Sequence, residues 1–375
     1  MAKAKPGDKK APITDRQKNA VTQLEGIAKS LYNDFTAQRV PQLSLSVRSK
    51  ANITFDDALN VWKYGSQLTE RSARKADGAF MLLRTLHMAE FIKGMIASRK
   101  SSTLREMYYI SEGWDLGKFS EQSESDKLAE DLEIITTCLR EDFKLRPEED
   151  GARMLGNVTI EEITRTGERR RINCRDDVGD AGYGIPFNVE QEKLKFKSVD
   201  ADFIIAIETG GMFDRLVENR FDETHRAALL HLKGQPARST RRFLKRLSEE
   251  NDLPVVVFTD GDPWSFRIFA SVAYGAIKTA HISEYLATPT ARYLGITPSD
   301  IVNYDLPSDK LSDQDTRALE AELTDPRFAD DWWKGEIELQ LSLKKKSEQQ
   351  ALAKYGLDFV TDTYLPEKLS EMGII

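Results

Sequence analysis

The sequence predicts a multidomain α/β protein, a basic and mostly helical N-terminal half leading into a C-terminal half built on a parallel sheet. Two observations carry this. From about residue 200, strand-like apolar runs at 203–207, 228–232 and 254–259 alternate with helical stretches through Phe213 and Leu216, from Ser239 to Leu247, and from about Phe266 to Ala280. Such alternation implies crossover connections, and so parallel strands covered by helices. Upstream, residues 78–143 contain three stretches of helical periodicity, and a basic hairpin follows them.

Residues 1–15 are rich in Lys, Pro and Gly and lack the composition of a packed element. Val21, Leu24, Ile27, Ala28 and Leu31 then mark a helix over 16–36, and Leu43–Val47 alternates at period two like a strand. Gly78 to Ser98 reads as a helix with Phe80, Leu83, Leu86 and Phe91 among its apolar positions. Thr103-Leu-Arg-Glu106 has the spacing of a capping box and opens a short helix carrying Tyr108 and Tyr109. Ser125 to Phe143 reads as the third helix. Two β-like pieces, 157–163 and 169–173, are joined through Arg165-Thr-Gly167. Three helices and a basic hairpin match a winged-helix (CAP-like) pattern, with Arg165, Arg169, Arg170 and Arg171 on the wing. The expected division is a basic extension over 1–70, a winged-helix domain over 71–173, a Gly- and Asp-rich linker over 174–199 and an α/β domain over 200–375. The stretch 312–355 reads as mostly helical, and the chain end as strand and turn.

Two of the strand-like runs end in carboxylates. Glu208 follows 203–207, and Asp260-Gly261-Asp262 follows 254–259. Ligands of open α/β sheets bind at the carboxyl ends of strands. An oxygen-only cluster there suits Mg²⁺ and phosphate chemistry. The bland alternative is helix capping, for which Asp262 before Pro263 is well placed. A glutamate after one strand, Asp-x-Asp after another about fifty residues on, and a βαβ alternation between them together describe a toprim domain. Lys233-Gly234-Gln235-Pro236 ends the intervening strand, where Lys233, Gln235 and backbone amides are candidates for DNA phosphate contact; a plain turn is the alternative. The cations of 238–246 read either as a DNA-backbone surface or as a solvated face.

Arg105 and Tyr109 are spaced i and i+4 and so share a helix face, whereas Tyr108 is turned about 100° away. A phenol needs help to ionise near neutrality, and a neighbouring guanidinium favours the phenolate or grips a phosphate. Taken alone, the two tyrosines read first as amphipathic packing residues at an inter-helix contact.

The net charge of −7 conceals an asymmetry. Residues 1–110 carry 19 Lys/Arg against 10 Asp/Glu, a net of +9, which leaves −16 for the remainder. The basic half holds Tyr109 and the acidic half holds the carboxylates. No apolar run reaches eighteen residues, and the N-terminus lacks a secretory pattern. Two cysteines, Cys138 and Cys174, are too few for a disulfide framework or a zinc site, so a cytoplasmic, nucleoid-associated setting without membrane contact is expected. The four histidines are scattered without metal-ligand spacing. No Gly-x-x-x-x-Gly-Lys-Ser/Thr phosphate loop is present, so any ATP involved would be bound by a partner.

Leu104-Arg-Glu-Met-Tyr-Tyr109, Ile207-Glu208-Thr-Gly-Gly-Met-Phe213, Lys233-Gly-Gln-Pro236 and Thr259-Asp260-Gly-Asp262-Pro-Trp occur in this order. With them the chain, from about residue 70 onward, resembles the A subunits of archaeal type IIB DNA topoisomerases and their meiotic double-strand-break relatives. Residues 287–300 and Glu348-Gln-Gln-Ala-Leu-Ala-Lys354 are similar to the archaeal members. Ser265 departs from the glycine of many eukaryotic relatives. The resemblance implies that Tyr109 is the nucleophile with Arg105 beside it, and that Glu208, Asp260 and Asp262 hold Mg²⁺. It also implies a homodimer acting on double-stranded DNA, with a GHKL-type ATPase B subunit completing an A2B2 heterotetramer and docking near residues 1–70. Competing functions are a meiotic-type transesterase that does not reseal, a winged-helix DNA-binding protein with an inactive toprim domain, and a toprim nuclease or primase.

Overall fold

A computed structural model describes residues 12–146, 152–164 and 166–375. The chain divides into two compact units. The first comprises Met1–Thr54, Tyr64–Asp150 and Ile163–Glu168; the second comprises Phe55–Lys63, Gly151–Glu162 and Arg169–Ile375.

The first unit is mainly helical. Helix α1 (Asp15–Thr36) opens with a capping box in which Gln17 N–H donates to Thr14 Oγ1 and Thr14 N–H to Gln17 Oε1. Strands β1 (Gln42–Ser46) and β4 (Leu68–Ser72) pair antiparallel; between them in sequence, β2 (Ile53–Asp56) and β3 (Val61–Tyr64) pair with each other in a hairpin whose Phe55–Lys63 is counted in the second unit. Then come α2 (Ala76–Ser98), β5 (Ser102–Thr103), α3 (Leu104–Ser111), α4 (Gln122–Thr136) and β6 (Leu145–Arg146), with β5 and β6 parallel. One core joins Leu24, Ile27 and Leu31 of α1 to Met88, Ile92 and Met95 of α2, Met107 of α3 and Leu128 and Leu132 of α4. Arg48 and Arg71 both reach the buried Asp131 carboxylate on α4. Helix α4 is shorter than the expected 125–143. Thr137 turns left-handed (φ 54°), and Asp142 then accepts from the Leu139 N–H, closing a turn where a helix was expected.

The second unit is a helix-covered sheet. After β7 (Arg153–Leu155), β8 (Val158–Ile163), β9 (Arg169–Asn173), β10 (Tyr183–Gly184) and β11 (Leu194–Val199), strands and helices alternate. They are β12 (Phe203–Ile207), α5 (Gly210–Glu218), α6 (Phe221–Thr224), β13 (Ala227–His231), α7 (Arg238–Asn251), β14 (Val255–Phe258), α8 (Pro263–Tyr274), α9 (Ser283–Leu286) and β15 (Arg292–Gly295). The six-stranded order is β10-β7-β13-β12-β14-β15. The four strands from β13 to β15 are parallel, with β7 and β10 antiparallel at one edge. Strand side chains alternate between two cores. Ile204, Ala206 and Val257 face α7 and α8 residues such as Phe243 and Phe269, whereas Phe203, Ile205 and Ile207 face Phe213, Leu216 and Tyr364. This two-sided burial explains the unbroken apolar runs. The unit ends with α10 (Pro298–Asn303), β16 (Asp309–Lys310), α11 (Asp313–Glu322), α12 (Asp331–Leu343), β17 (Lys345–Lys346) and α13 (Leu365–Glu371).

The structure bears on three expectations. The hairpin β8–β9 belongs to a three-stranded antiparallel sheet of order β11-β8-β9, its Val158, Ile160 and Ile172 are buried in the α/β core, and its tip, Ile163–Glu168, falls in the first unit. Residues 174–199, expected as a linker with a small substructure, carry β10 and β11 and bury Cys174, Val189 and Leu194. The chain end is helical from Val360 to Glu371, held by packing of Val360, Tyr364, Leu365 and Leu369 against the sheet. Among the described residues no helix is long and apolar enough to cross a membrane.

Candidate functional site

The tyrosine helix forms as its spacing requires. Glu106 N–H donates to Thr103 Oγ1 at 3.0 Å and Thr103 N–H to Glu106 Oε2 at 2.7 Å, fixing where the first turn starts. Met107 and Ser111 are the buried positions of this helix, and Ser111 Oγ donates to Tyr108 O. Tyr108 packs half-buried on the helical core. Tyr109 is 58% exposed, its ring tilted against that of Tyr108 with centroids 5.3 Å apart. Arg105 is exposed one turn earlier on the same helix. The helical period has separated the two phenols, one packed on the core and the other exposed.

The carboxylates assemble by strand register. Ile207 at the end of β12 pairs with Phe258 at the end of β14, so Glu208 and Asp260 leave the sheet side by side. From β12 the chain crosses to β13 on one side, and from β14 to β15 on the other. The site therefore lies at the topological switch point, where ligands of open α/β sheets bind. Asp260 N–H donates to Glu208 Oε2 at 3.0 Å, and Asp260 Oδ1 accepts from Gln349 N–H at 2.8 Å. Asp262 caps α8 by accepting from Ser265 N–H at 2.8 Å, as the capping alternative expected. Burial pushes Asp260 up to about 7, and the charges of Glu208, Asp262 and Glu348 push the same way against the Gln349 hydrogen bond. Glu208 is raised by burial and by Asp262. Among the described residues no group of three or more His, Cys, Asp or Glu is gathered closely enough to hold a metal. The donor chemistry still fits a hard divalent cation, because repelling carboxylates raised by burial are relieved by one. Mg²⁺ in particular needs only one or two carboxylates besides water and phosphate oxygens.

The candidate DNA contacts are dispersed. Lys233 is exposed with φ 62° beyond β13, and the following Gly234 N–H donates to Glu208 O at 3.1 Å, so the Lys-Gly turn borders the carboxylates. Gln235 Nε2 instead donates to Ser271 Oγ on α8 at 3.0 Å. Arg169 and Arg170 are exposed on β9, where Arg169 pairs with Glu161 at 2.9 Å. Arg165 lies outside the described residues. Sequence reasoning missed Lys197, which reaches the same Glu161 at 3.4 Å from β11. Its signal, Leu194-Lys-Phe-Lys197 alternating at period two, is hidden inside the expected linker. It also missed Thr209 and Gln349, which lie within recognisable motifs whose spacing gives neither residue a role. The basic helix α7 is largely structural. Arg246 is buried and bonds Glu250, and Arg242 pairs with Glu190 at 3.1 Å.

Three family models match in succession. They are a type IIB DNA topoisomerase model over residues 81–145, the all-beta domain in DNA topoisomerase VI alpha subunit over 148–200, and the toprim domain shared by topoisomerase 6 A subunits and Spo11 over 203–369. The second covers both the hairpin expected as a wing and the stretch expected as a linker. Among curated proteins, the type 2 DNA topoisomerase 6 A subunit of Archaeoglobus fulgidus is 58% identical over 359 residues, covering 96% of this chain and 99% of its own. The protein of that name from Methanosarcina acetivorans is 57% identical over 357 residues, 95% of each chain. That from Halobacterium salinarum is 55% identical over 364 residues, 96% of this chain and 99% of its own. With this identity sustained across both units, the chain belongs to the family of type 2 DNA topoisomerase 6 A subunits.

Proposed function

We propose that this chain is the DNA-cleaving and resealing subunit of an ATP-dependent type IIB topoisomerase, an isomerase that relaxes supercoils and separates linked duplexes. One observation carries the reading: Tyr109 is exposed on a helix whose register is locked by the Thr103–Glu106 box. In this reading Tyr109 Oη attacks a backbone phosphorus and the bond from phosphorus to O3′ breaks. The phenol loses its proton, and the freed 3′ oxygen takes one up. The product is a 5′-phosphotyrosyl link, which retains the energy of the broken diester, so reversal reseals the strand. Arg105 grips the phosphate and steadies its charge.

Glu208 and Asp260, with Asp262 beside them, would hold Mg²⁺, which when bound supplies charge stabilisation at the scissile phosphate. Helices α2 to α4 with the β5–β6 pair form the winged-helix part that carries Tyr109 to DNA. Arg165, Arg169, Arg170 and Lys233 follow the backbone. Gln235, tied to Ser271, supports the Lys-Gly turn. The chain works as a homodimer in which the carboxylates of one protomer serve Tyr109 of the other. Two GHKL-type ATPase B subunits complete the A2B2 assembly and bind the ATP, docking on residues 1–70. A chain lacking residues 1–70 that bound the B subunit undiminished would remove that last assignment.

The test is cleavage of supercoiled plasmid by this chain with its ATPase partner, Mg²⁺ and a non-hydrolysable ATP analogue, quenched with detergent. A linear product joined at its 5′ ends to Tyr109 is the expected result. Intact plasmid, with the partner shown to be bound, refutes the reading.

A further inference from the structure

The motif Glu348-Gln-Gln-Ala-Leu-Ala-Lys354 has no role in the chemistry above, yet its first residues lie against the carboxylates. Gln349 is fully buried. Its main-chain N–H donates to Asp260 Oδ1 at 2.8 Å, and its side-chain Nε2 donates to Phe258 O at 3.0 Å. Its Oε1 accepts from Thr209 Oγ1 at 2.8 Å. Phe258 is the last residue of β14, and Thr209 immediately follows Glu208. One side chain thus ties together the ends of the two strands that supply the carboxylates, and its own backbone orients one of them.

The neighbouring segment clamps the same loop. Gly261 N–H donates to Ser347 O at 2.8 Å and Ser347 N–H to Gly261 O at 3.4 Å, a two-way antiparallel bridge. Gln340, fully buried on α12, donates from Nε2 to Gly261 O at 2.8 Å. A Cβ at Gly261 would come within 3.1 Å of Ile296 O and 3.3 Å of Ser347 O, so the strap lies directly on the loop. A side chain at 261 would require Ile296 or the strap to shift by a few tenths of an ångström.

We infer that Gln349 is a positioning residue for the metal-binding carboxylates, holding 347–349 across Asp260-Gly261-Asp262 so that Asp260 presents one defined oxygen. The inference rests on the metal role proposed above for Glu208 and Asp260. Its physical basis is that Asp260 Oδ1 is committed to the Gln349 N–H and Glu208 Oε2 to the Asp260 N–H, which makes Asp260 Oδ2 the oxygen a cation takes. A carboxylate free to rotate would spread that oxygen over several positions and lose affinity. Groups that orient ligands in this way typically change metal affinity about 10- to 100-fold when removed.

The experiment uses the full chain. Mn²⁺ binding is followed by loss of the free-ion signal in electron paramagnetic resonance, and the Mg²⁺ dependence of plasmid cleavage is measured with the ATPase partner. Gln349→Met keeps length and volume but removes both side-chain hydrogen bonds, and Thr209→Val removes one of them from the other side. Both should weaken Mn²⁺ binding and raise the half-maximal Mg²⁺ about tenfold, with cleavage recovered at saturating Mg²⁺. Thr209→Ser, which keeps the hydroxyl, should restore affinity. If Gln349→Met does not fold, Thr209→Val against Thr209→Ser carries the test. Variants of lower thermal stability with wild-type Mn²⁺ affinity would make Gln349 a purely structural residue and overturn the inference. A wild-type chain that binds no Mn²⁺ and cleaves without Mg²⁺ would instead remove the metal role itself, and the inference with it.

Discussion

Replacing Asp260 by Asn should make the metal-free protein more stable, although it removes one of the carboxylates proposed to hold Mg²⁺. Asp260 is held at about 7 against an ordinary value of 3.8, by burial first and then by Glu208, Asp262 and Glu348. The folded chain therefore binds this proton more tightly than the unfolded chain does. The stability linked to it is fully present below pH 3.8 and is lost as the pH rises through 7. The full difference corresponds to about 4 kcal/mol at 1.36 kcal/mol per pH unit. Water reaching a half-buried carboxylate screens part of this, so about 2 kcal/mol at pH 8 is a sounder expectation. Asn retains Oδ1 as an acceptor for the Gln349 N–H, so that hydrogen bond survives the change. For a unit of this size about 2 kcal/mol is a rise in Tm of about 4 to 8 °C. Calorimetry in EDTA at pH 8 should show that rise, shrinking as the pH is lowered towards 5. Mg²⁺ should stabilise the wild type and leave the variant unmoved. A variant no more stable than wild type in EDTA at pH 8 would refute the argument that repulsion and burial load this site.

The other predictions concern separate parts of the chain. Tyr109→Phe should retain DNA binding, by gel shift, and form no covalent adduct; an adduct formed by this variant would move the nucleophile elsewhere. Thr103→Ala removes the cap of α3, should cost about 1 kcal/mol, and should slow adduct formation more than it weakens DNA binding; an unchanged cleavage rate would show that helix register does not set the tyrosine. Asp300→Ala strips a buried acceptor from Tyr364 Oη (2.8 Å), Lys368 Nζ (3.0 Å) and Thr297 N–H (2.8 Å). With the buried Tyr364 hydroxyl and Thr297 N–H left without their acceptor, a loss of about 2 to 4 kcal/mol in urea unfolding is expected, and a loss below about 1 kcal/mol would mean that this network does not anchor α13.

Local rules were enough to read several parts of this protein from its sequence. The Thr103–Glu106 box specified where α3 begins, and the 3.6-residue period then decided that Tyr108 and Tyr109 point to different surroundings. The apolar runs 203–207 and 255–258 declared strands buried on both faces, and their carboxylate ends marked the edge of the sheet where a ligand sits. Pairings between residues distant in sequence were not legible. The hairpin 158–173 has the composition of a basic wing, but its partner is β11, and the choice depends on Ile160 and Ile172 finding apolar neighbours in the α/β core. Arg242 looks like part of a DNA-facing surface until Glu190, 52 positions earlier, is placed opposite it. Gln349 is an ordinary polar residue in the sequence and becomes part of the site only when the fold brings it to Thr209, 140 positions earlier. Capping and periodicity act within a few residues and are written locally. Burial of one strand against another, and the groups that orient a site's carboxylates from behind, depend on which surfaces meet and are decided by the tertiary structure alone.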